Sequence, residues 1–211
     1  KAAGANQSLS GTVRLTASHV VATYILPPLI TQFQRQEPDI QLEIVASNTA
    51  ENLLARDADI AIRMFHPTQQ ELISCKVNEL SLGAYASDVY LHHFGTPHEL
   101  EQLMRHRIVG YDRAEVIIKG MAAAGFRVGR EFFVLRTDDQ VSYWEYVKAG
   151  AGIGFGANFI ARQSPQLQRL FSDLPIPALP IWLTAHQELR TNRRIRRAMD
   201  FFTEQLRALN L

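Results

Sequence analysis

Apolar and polar positions change their spacing several times along the chain, and each change marks an element. Thr12–Ala17, "TVRLTA", is a short β-prone run. After it Leu26, Leu29, Ile30 and Phe33 recur at i, i+3, i+4 and i+7, the apolar face of a helix. Pro27 and Pro28 fall in the first turn of that helix, where the N–H groups that proline lacks have no intrahelical acceptor anyway. The helix must stop by Glu37, because Pro38 disfavours helical geometry at the residue before it. Ile40, Leu42 and Ile44 then alternate with Gln41 and Glu43, a strand pattern. Asn48 or Thr49 is placed to cap a helix carrying Leu53 and Leu54, with Glu51 three residues after Asn48 as in a capping box. "DADIAIRM" is the next short strand. Strand, helix, strand, helix, strand requires crossover connections, which imply a parallel sheet.

The rhythm changes at "LISCKVNELSLGAYAS", Leu72–Ser87, which holds two strand-like runs with little between them. Thr96 as N-cap, Pro97 at the first helical position and Glu99 at the third predict a helix through "TPHELEQLMRH". "RIVGYD" and "EFFVLRTD" read as strands. Gln140–Ala149 reads as a helix capped by Thr137 or Asp138 and ended by Gly150, and "GIGFGA" as a further short strand. The chain then returns through "LPIWLTAH", Leu179–His186, to a final helix capped by Asn192, whose Ile195, Ala198, Met199, Phe202 and Leu206 form an apolar stripe. Such a stripe needs a sheet to pack on, and the first α/β unit has an open face. The economical architecture is α/β, two Rossmann-like lobes joined by two crossing strands near Leu82–Tyr85 and Ile181–Thr184. The expected first lobe is 9–83 plus 181–211, with 84–180 inserted as the second. A ligand cleft is expected between them, at the carboxyl ends of parallel strands.

Composition narrows the classes. A net charge of +1 over 211 residues gives this chain no electrostatic grip of its own on nucleic acid or an anionic membrane. No apolar run approaches the roughly 20 residues that a membrane span needs. Cys75 is the one cysteine, so no internal disulfide can form; this suits a reducing cytoplasm, and the residue reads as structural. Residues 1–8 are small and polar, lack the apolar core of a secretory signal, and read as a linker from something upstream.

Several positions carry chemistry. Ser18-His19 has the residue types of a nucleophilic pair, but sequence neighbours seldom place the hydroxyl on the imidazole productively, and no G-x-S-x-G elbow surrounds them. Two readings stay open for the pair: a cap for the turn after the first strand, or a wall of the ligand cleft. Asn48-Thr49 holds the equivalent place after the second strand, where a hydroxyl and free helix N–H groups suit a carboxylate. Arg63 ends the third strand, either as a surface arginine paired with an acid or as an anion clamp using its planar fork. From the second lobe Tyr111, Asp112 and Asp138 sit at strand or helix ends, with capping the plainer role for the aspartates, and Phe155 offers an apolar wall. The glycines of "GAGIGFG" follow a helix and enter a strand, the reverse of a dinucleotide loop. His92 and His93 are adjacent and lack the i, i+4 spacing used for zinc, so neither metal nor cofactor is expected. Arg193, Arg194, Arg196 and Arg197 lie off the apolar stripe and read as a solvated helix face.

The run "LSGTVRLTASHVVATYILPPLITQFQRQEPDIQLEIVASNTAENLLARDADIAIR" resembles the effector-binding domain of LysR-type transcriptional regulators. The later "TDDQVSYWEYVKAGAGIGF" looks like the family's second-lobe helix and Gly-rich strand, and "IPALPIWLTAH" like its return crossing. The likeness spans about Leu9 to Leu206. It implies a periplasmic-binding-protein type II fold, a small-molecule effector, a homodimer or homotetramer, and a cytoplasmic regulator rather than an enzyme. It also implies an N-terminal DNA-binding domain absent from this chain, through which alone DNA would be contacted. It adds the family's effector contacts to the case for Ser18 and His19; with the residues placed by position, the expected ligand contacts are Ser18, His19, Asn48, Thr49, Arg63, Tyr111, Asp112, Asp138 and Phe155. The hinge would run through Leu82, Gly83, Ala84, Tyr85, Trp182 and Leu183. The alternative with the same fold is a solute-binding receptor of a transport system.

Overall fold

The computed structural model describes residues 9–49, 58–67, 71–187 and 191–211. The chain divides into two compact units, Lys1–Glu79 with Leu179–Asn210 and Leu80–Ala178 with Leu211.

In the first unit β1 (Gly11–Ala17) leads through α1 (His19–Tyr24) and α2 (Leu26–Gln36) to β2 (Ile40–Ala46). There follow β3 (Ile60–Arg63), β4 (Leu72–Leu80) and, from the far end of the sequence, β10 (Leu179–His186) and α7 (Arg193–Ala208). The sheet order is β2-β1-β3-β10-β4. β1 runs parallel to both β2 and β3, as crossover connections require, while β10 returns antiparallel to β3. One face of the three central strands is apolar throughout: Val13, Leu15, Ala17, Ile60, Ile62, Ile181, Leu183 and Ala185 are all buried. α2 meets α7 through Phe33, whose ring centroid lies 5.1 Å from Phe201 and 5.5 Å from Phe202. All three rings are buried, contributing roughly 1.5–3 kcal/mol each.

Pro27 and Pro28 occupy the first turn of α2, and Glu37 closes it by donating its N–H to the Phe33 carbonyl at 2.8 Å. Asn192 caps α7, its Oδ1 accepting the Ile195 N–H at 3.4 Å. The buried stripe of α7 is Ile195, Ala198, Phe201, Phe202 and Leu206, so Phe201 takes the place expected of half-buried Met199. Nor are all four arginines of α7 solvated. Arg194 Nε donates to the Thr12 carbonyl at 3.0 Å, and Arg197 pairs with Glu37 at 2.5 Å, tying the helix to β1 and to the end of α2. The helix expected over Leu53 and Leu54 lies outside the described residues, as does the expected linker 1–8.

The second unit holds β5 (Leu82–Ser87) between β8 (Gly154–Ala157) and β9 (Leu167–Leu170), antiparallel to both, with α6 (Asn158–Ala161) directly after β8. β6 (Ile108–Gly110) and β7 (Phe133–Arg136) form a parallel pair. An isolated bridge joins Ile108 to Ile153. Two helices of this unit carry no clear sequence signal, α3 (Asp88–Phe94) and α4 (Val116–Ala123). The first is capped by Ser87, the last residue of a strand, and the second has no side-chain cap. The helix expected from Thr96 instead starts later and is a 3-10 helix, Leu100–Arg105. Glu99 is its N-cap: its carboxylate accepts the Gln102 N–H while Gln102 Oε1 accepts the Glu99 N–H at 3.1 Å, a reciprocal box that outcompetes Thr96. α5 (Gln140–Lys148) is capped by Asp139, whose Oδ1 accepts the Ser142 N–H at 2.7 Å, rather than by Thr137 or Asp138. The Gly-rich strand is explained by packing. A Cβ on Gly156 would stand 2.5 Å from Trp144 Cζ2, and one on Gly154 2.5 Å from Val147 Cγ2, so hydrogen at these positions lets α5 lie on β8.

Candidate functional site

The carboxyl ends of β1, β2 and β3 converge in the first unit. Ser18 follows β1 and caps α1, its Oγ accepting the Val21 N–H at 3.4 Å; the hydroxyl is buried and engaged with backbone, and the Ser-His pair is a helix start. His19 donates its N–H to Asn48 Oδ1 at 3.1 Å, which links the turn after β1 to the turn after β2. In that second turn Ser47 Oγ lies 3.0 Å from Thr49 Oγ1 and accepts the Thr49 N–H at 3.2 Å. Asn48 and Thr49 are otherwise exposed.

Arg63 organises this end of the sheet. It is 4% exposed, so it is not a surface arginine. Its guanidinium donates to the Ser47 carbonyl at 2.5 Å, to Thr16 Oγ1 at 2.9 Å and to the Thr49 carbonyl at 3.1 Å. These partners are neutral oxygens, so the described surroundings satisfy its hydrogen bonds without offsetting its charge. Burial pushes its pKa below the ordinary value, although guanidinium remains charged at any physiological pH. A buried cation among neutral dipoles is costly unless an anion joins it.

Strand register shows what else shares that face. Arg63 pairs with Trp182 and Ala61 with Thr184 across β3 and β10, while Thr16 pairs with Ala61 across β1 and β3. Paired residues project to one side, so Thr16, Arg63, Trp182 and Thr184 occupy the same face, opposite the apolar one. The His66 ring packs against the Trp182 indole, edge to face, at 4.3 Å between centroids. Local spacing marks neither His66 nor Thr184 as part of a site: the β3–β10 register brings Thr184 to this face, and the ring contact with Trp182 brings His66 to it.

The second unit arranges its candidates differently. Tyr111 stacks obliquely on Tyr143 at 5.1 Å. Burial, with the Asp138 carboxylate adding to it, pushes the Tyr111 phenol up to about 12. Tyr143 is buried, and its phenol is likewise pushed up by desolvation. Its hydroxyl donates to the Val109 carbonyl at 3.0 Å and accepts the Phe155 N–H at 2.9 Å, so one oxygen ties β6 to β8. Phe155 is half-buried, on the strand face away from Gly154 and Gly156. Asp138 fills a nest of backbone donors, accepting the N–H groups of Asp112 at 3.0 Å, Arg113 at 3.0 Å and Ala114 at 3.3 Å. Desolvation is the largest single influence and raises its carboxyl, but the three backbone bonds and the Arg113 charge together outweigh it and hold the group below the usual range. Asp112 pairs with Arg130 at 2.6 Å. Both aspartates therefore have structural partners. The expected hinge residues Leu82, Gly83, Ala84 and Tyr85 lie within β5, opposite Ala157, Gly156, Phe155 and Gly154. Tyr85 donates its hydroxyl to Asn158 Oδ1 at 2.6 Å. Trp182 and Leu183 lie within β10, opposite Arg63 and Ile62. Among the described residues no group of His, Cys, Asp and Glu side chains could hold a metal ion, and no helix is long and apolar enough to cross a membrane.

Comparison with known proteins gives this geometry a family. A family model described as the LysR substrate binding domain matches residues 6–207. The HTH-type transcriptional regulator CrgA of Neisseria meningitidis is 31% identical over 101 residues, 48% of this chain and 34% of the relative. An HTH-type transcriptional repressor of Pseudomonas aeruginosa is 27% identical over 182 residues, 82% of this chain and 54% of the relative. The chain thus spans about a third to a half of the length of these curated relatives. The solved regulatory domain of CrgA superposes with a TM-score of 0.84 at 22% identity, covering 93% of this chain and 99% of that one. Full-length AphB of Vibrio cholerae superposes at 0.76 and 20% identity, covering 97% and 70%. The fold is the two-lobe α/β type of type II periplasmic binding proteins. Matched by its model across almost all of its length, the chain belongs to the LysR substrate-binding domain family.

Proposed function

We propose that this chain is the sensing half of a bacterial LysR-type transcriptional regulator and binds a small metabolite at the strand ends organised by Arg63. Family membership favours this over a transport receptor with the same fold. The observation that carries the site is the buried Arg63 guanidinium, whose three described acceptors are all neutral. An anionic effector group would supply the missing counter-charge, with Ser18, His19, Asn48 and Thr49 as neighbouring contacts. Tyr111, Phe155, Asp112 and Asp138 are the second unit's candidates; Asp112 and Asp138 would have to exchange their present partners to take part. An effector that prefers one conformation shifts the population toward it by its differential affinity alone. The strand segments Leu82–Tyr85 and Trp182–Leu183 are the proposed points of bending. A homodimer or homotetramer in the cytoplasm would relay the shift to a DNA-binding domain outside this sequence.

The test is calorimetric titration of the protein with a library of bacterial metabolites, repeated with Arg63→Ala. A ligand bound by the wild type and lost, or weakened at least tenfold, in the variant supports the reading. Failure of every metabolite to bind would remove it.

A further inference from the structure

Two buried side-chain polar atoms have no hydrogen-bond partner among the described residues, Trp182 Nε1 and Thr184 Oγ1. They belong to the same strand, two residues apart, and so to the same face. That face is the one carrying Arg63, which stands directly opposite Trp182 in the β3–β10 register. Thr184 is 1% exposed and sits opposite Ala61, one pair deeper into the sheet. Buried hydroxyl and indole groups are nearly always paired, because an unmade bond costs the full desolvation of the group. Two such groups on the face that carries a buried cation with neutral described partners are both able to donate to an acceptor there.

We infer that this face of β10 is a ligand-contacting surface, and that the effector is a small carboxylate whose oxygens accept from Trp182 Nε1 and Thr184 Oγ1. The inference rests on the sensing role proposed above and names the class of effector. The indole N–H can only donate, so it selects an acceptor group. The Thr184 hydroxyl can donate to the same group. Arg63 adds the positive charge that distinguishes a carboxylate from its amide. His66, packed edge to face on the indole, orients it. Trp182 thereby acts as a specificity residue, in addition to lying in one of the proposed bending segments.

The experiment uses a set of aliphatic and aromatic mono- and dicarboxylates, acetate to succinate and benzoate, each beside its neutral amide. Binding is read by titration calorimetry and by indole fluorescence on the wild type, Trp182→Phe, Thr184→Val and Arg63→Ala. Trp182→Phe keeps an aromatic ring and removes the N–H; Thr184→Val keeps the shape and removes the hydroxyl. The expected result is a carboxylate preferred over its amide, weakened about tenfold to hundredfold by Trp182→Phe and several-fold by Thr184→Val, as for loss of a bond to a charged group. Thr184→Val should also leave the thermal midpoint of the ligand-free protein unchanged or raised, because it deletes an unsatisfied hydroxyl; a structural hydroxyl would lower it. Undiminished carboxylate binding in both β10 variants, with loss in Arg63→Ala, overturns this inference and leaves the sensing role standing. Binding of neutral compounds only overturns the carboxylate class. Absence of any binding in either arm overturns the carboxylate inference, and the metabolite library then decides the sensing role separately.

Discussion

Replacing Tyr143 with phenylalanine removes one oxygen and strands two backbone groups. The hydroxyl is the acceptor for the Phe155 N–H at 2.9 Å and the donor to the Val109 carbonyl at 3.0 Å, in a side chain that is only 1% exposed. A ring of the same shape fills the space without reaching either group. Each unsatisfied buried partner costs about 1–3 kcal/mol. Phe155 is half-buried and its N–H can recover part of its loss from water, whereas Val109 is fully buried and cannot. The sum is about 2–4 kcal/mol. For a chain of this size that lowers the thermal midpoint by about 5–12 °C. Calorimetry and urea denaturation measure the loss, and amide exchange localises it, with the Phe155 N–H expected to lose protection first. Exposed Tyr146, replaced by phenylalanine, serves as the control. A Tyr143→Phe protein within about 0.5 kcal/mol of wild type at unchanged denaturant slope, with Phe155 still protected, would refute the reasoning.

Asp138→Asn should cost about 1 kcal/mol at neutral pH, a figure already reduced for solvent screening at an exposed site, with urea midpoints as the readout. The carboxyl's folded pKa lies below its unfolded value, so its contribution is fully present above about pH 4 and is lost as the pH falls through the depressed value. The variant should therefore lose less stability than wild type on acidification through that window, and equal losses would count against the nest. Gly156→Ala forces a Cβ to within 2.5 Å of Trp144 Cζ2 and should cost about 1–3 kcal/mol, with a shift in indole emission; unchanged emission and midpoint would contradict the packing account. Ser18→Ala removes a long cap bond of 3.4 Å and should cost about 0.5–1 kcal/mol by thermal denaturation, with no loss meaning that α1 needs no cap.

Much of the fold is written locally. α2 announces itself through the spacing of Leu26, Leu29 and Phe33 and through prolines placed where a first turn accepts them, and the structure keeps each of these features. Where two local signals compete, the sequence cannot choose. Thr96 and Glu99 are both able caps three residues apart, and the reciprocal bond to Gln102 selects the second. Asp138 and Asp139 are adjacent carboxylates. The backbone after β6 takes one into a nest of N–H groups, leaving the other to cap α5. Arg63 was legible as a cation at a strand end. Its partners were not, because two of them are main-chain carbonyls that no residue type reveals. Trp182 and Thr184 were less legible still. Their neighbours are fixed by pairing between strands far apart in sequence, and only that register shows them beside Arg63.

The close fit of α5 on β8 also limits how this protein can diverge. Gly154 and Gly156 have no room for a side chain, and Ala157 is buried at 3% exposure. Of the four positions in that strand, Phe155 alone combines a large side chain with partial exposure. Whatever surface chemistry β8 offers can therefore be retuned at a single codon, while its flanking glycines are held in place by a tryptophan and a valine on another element.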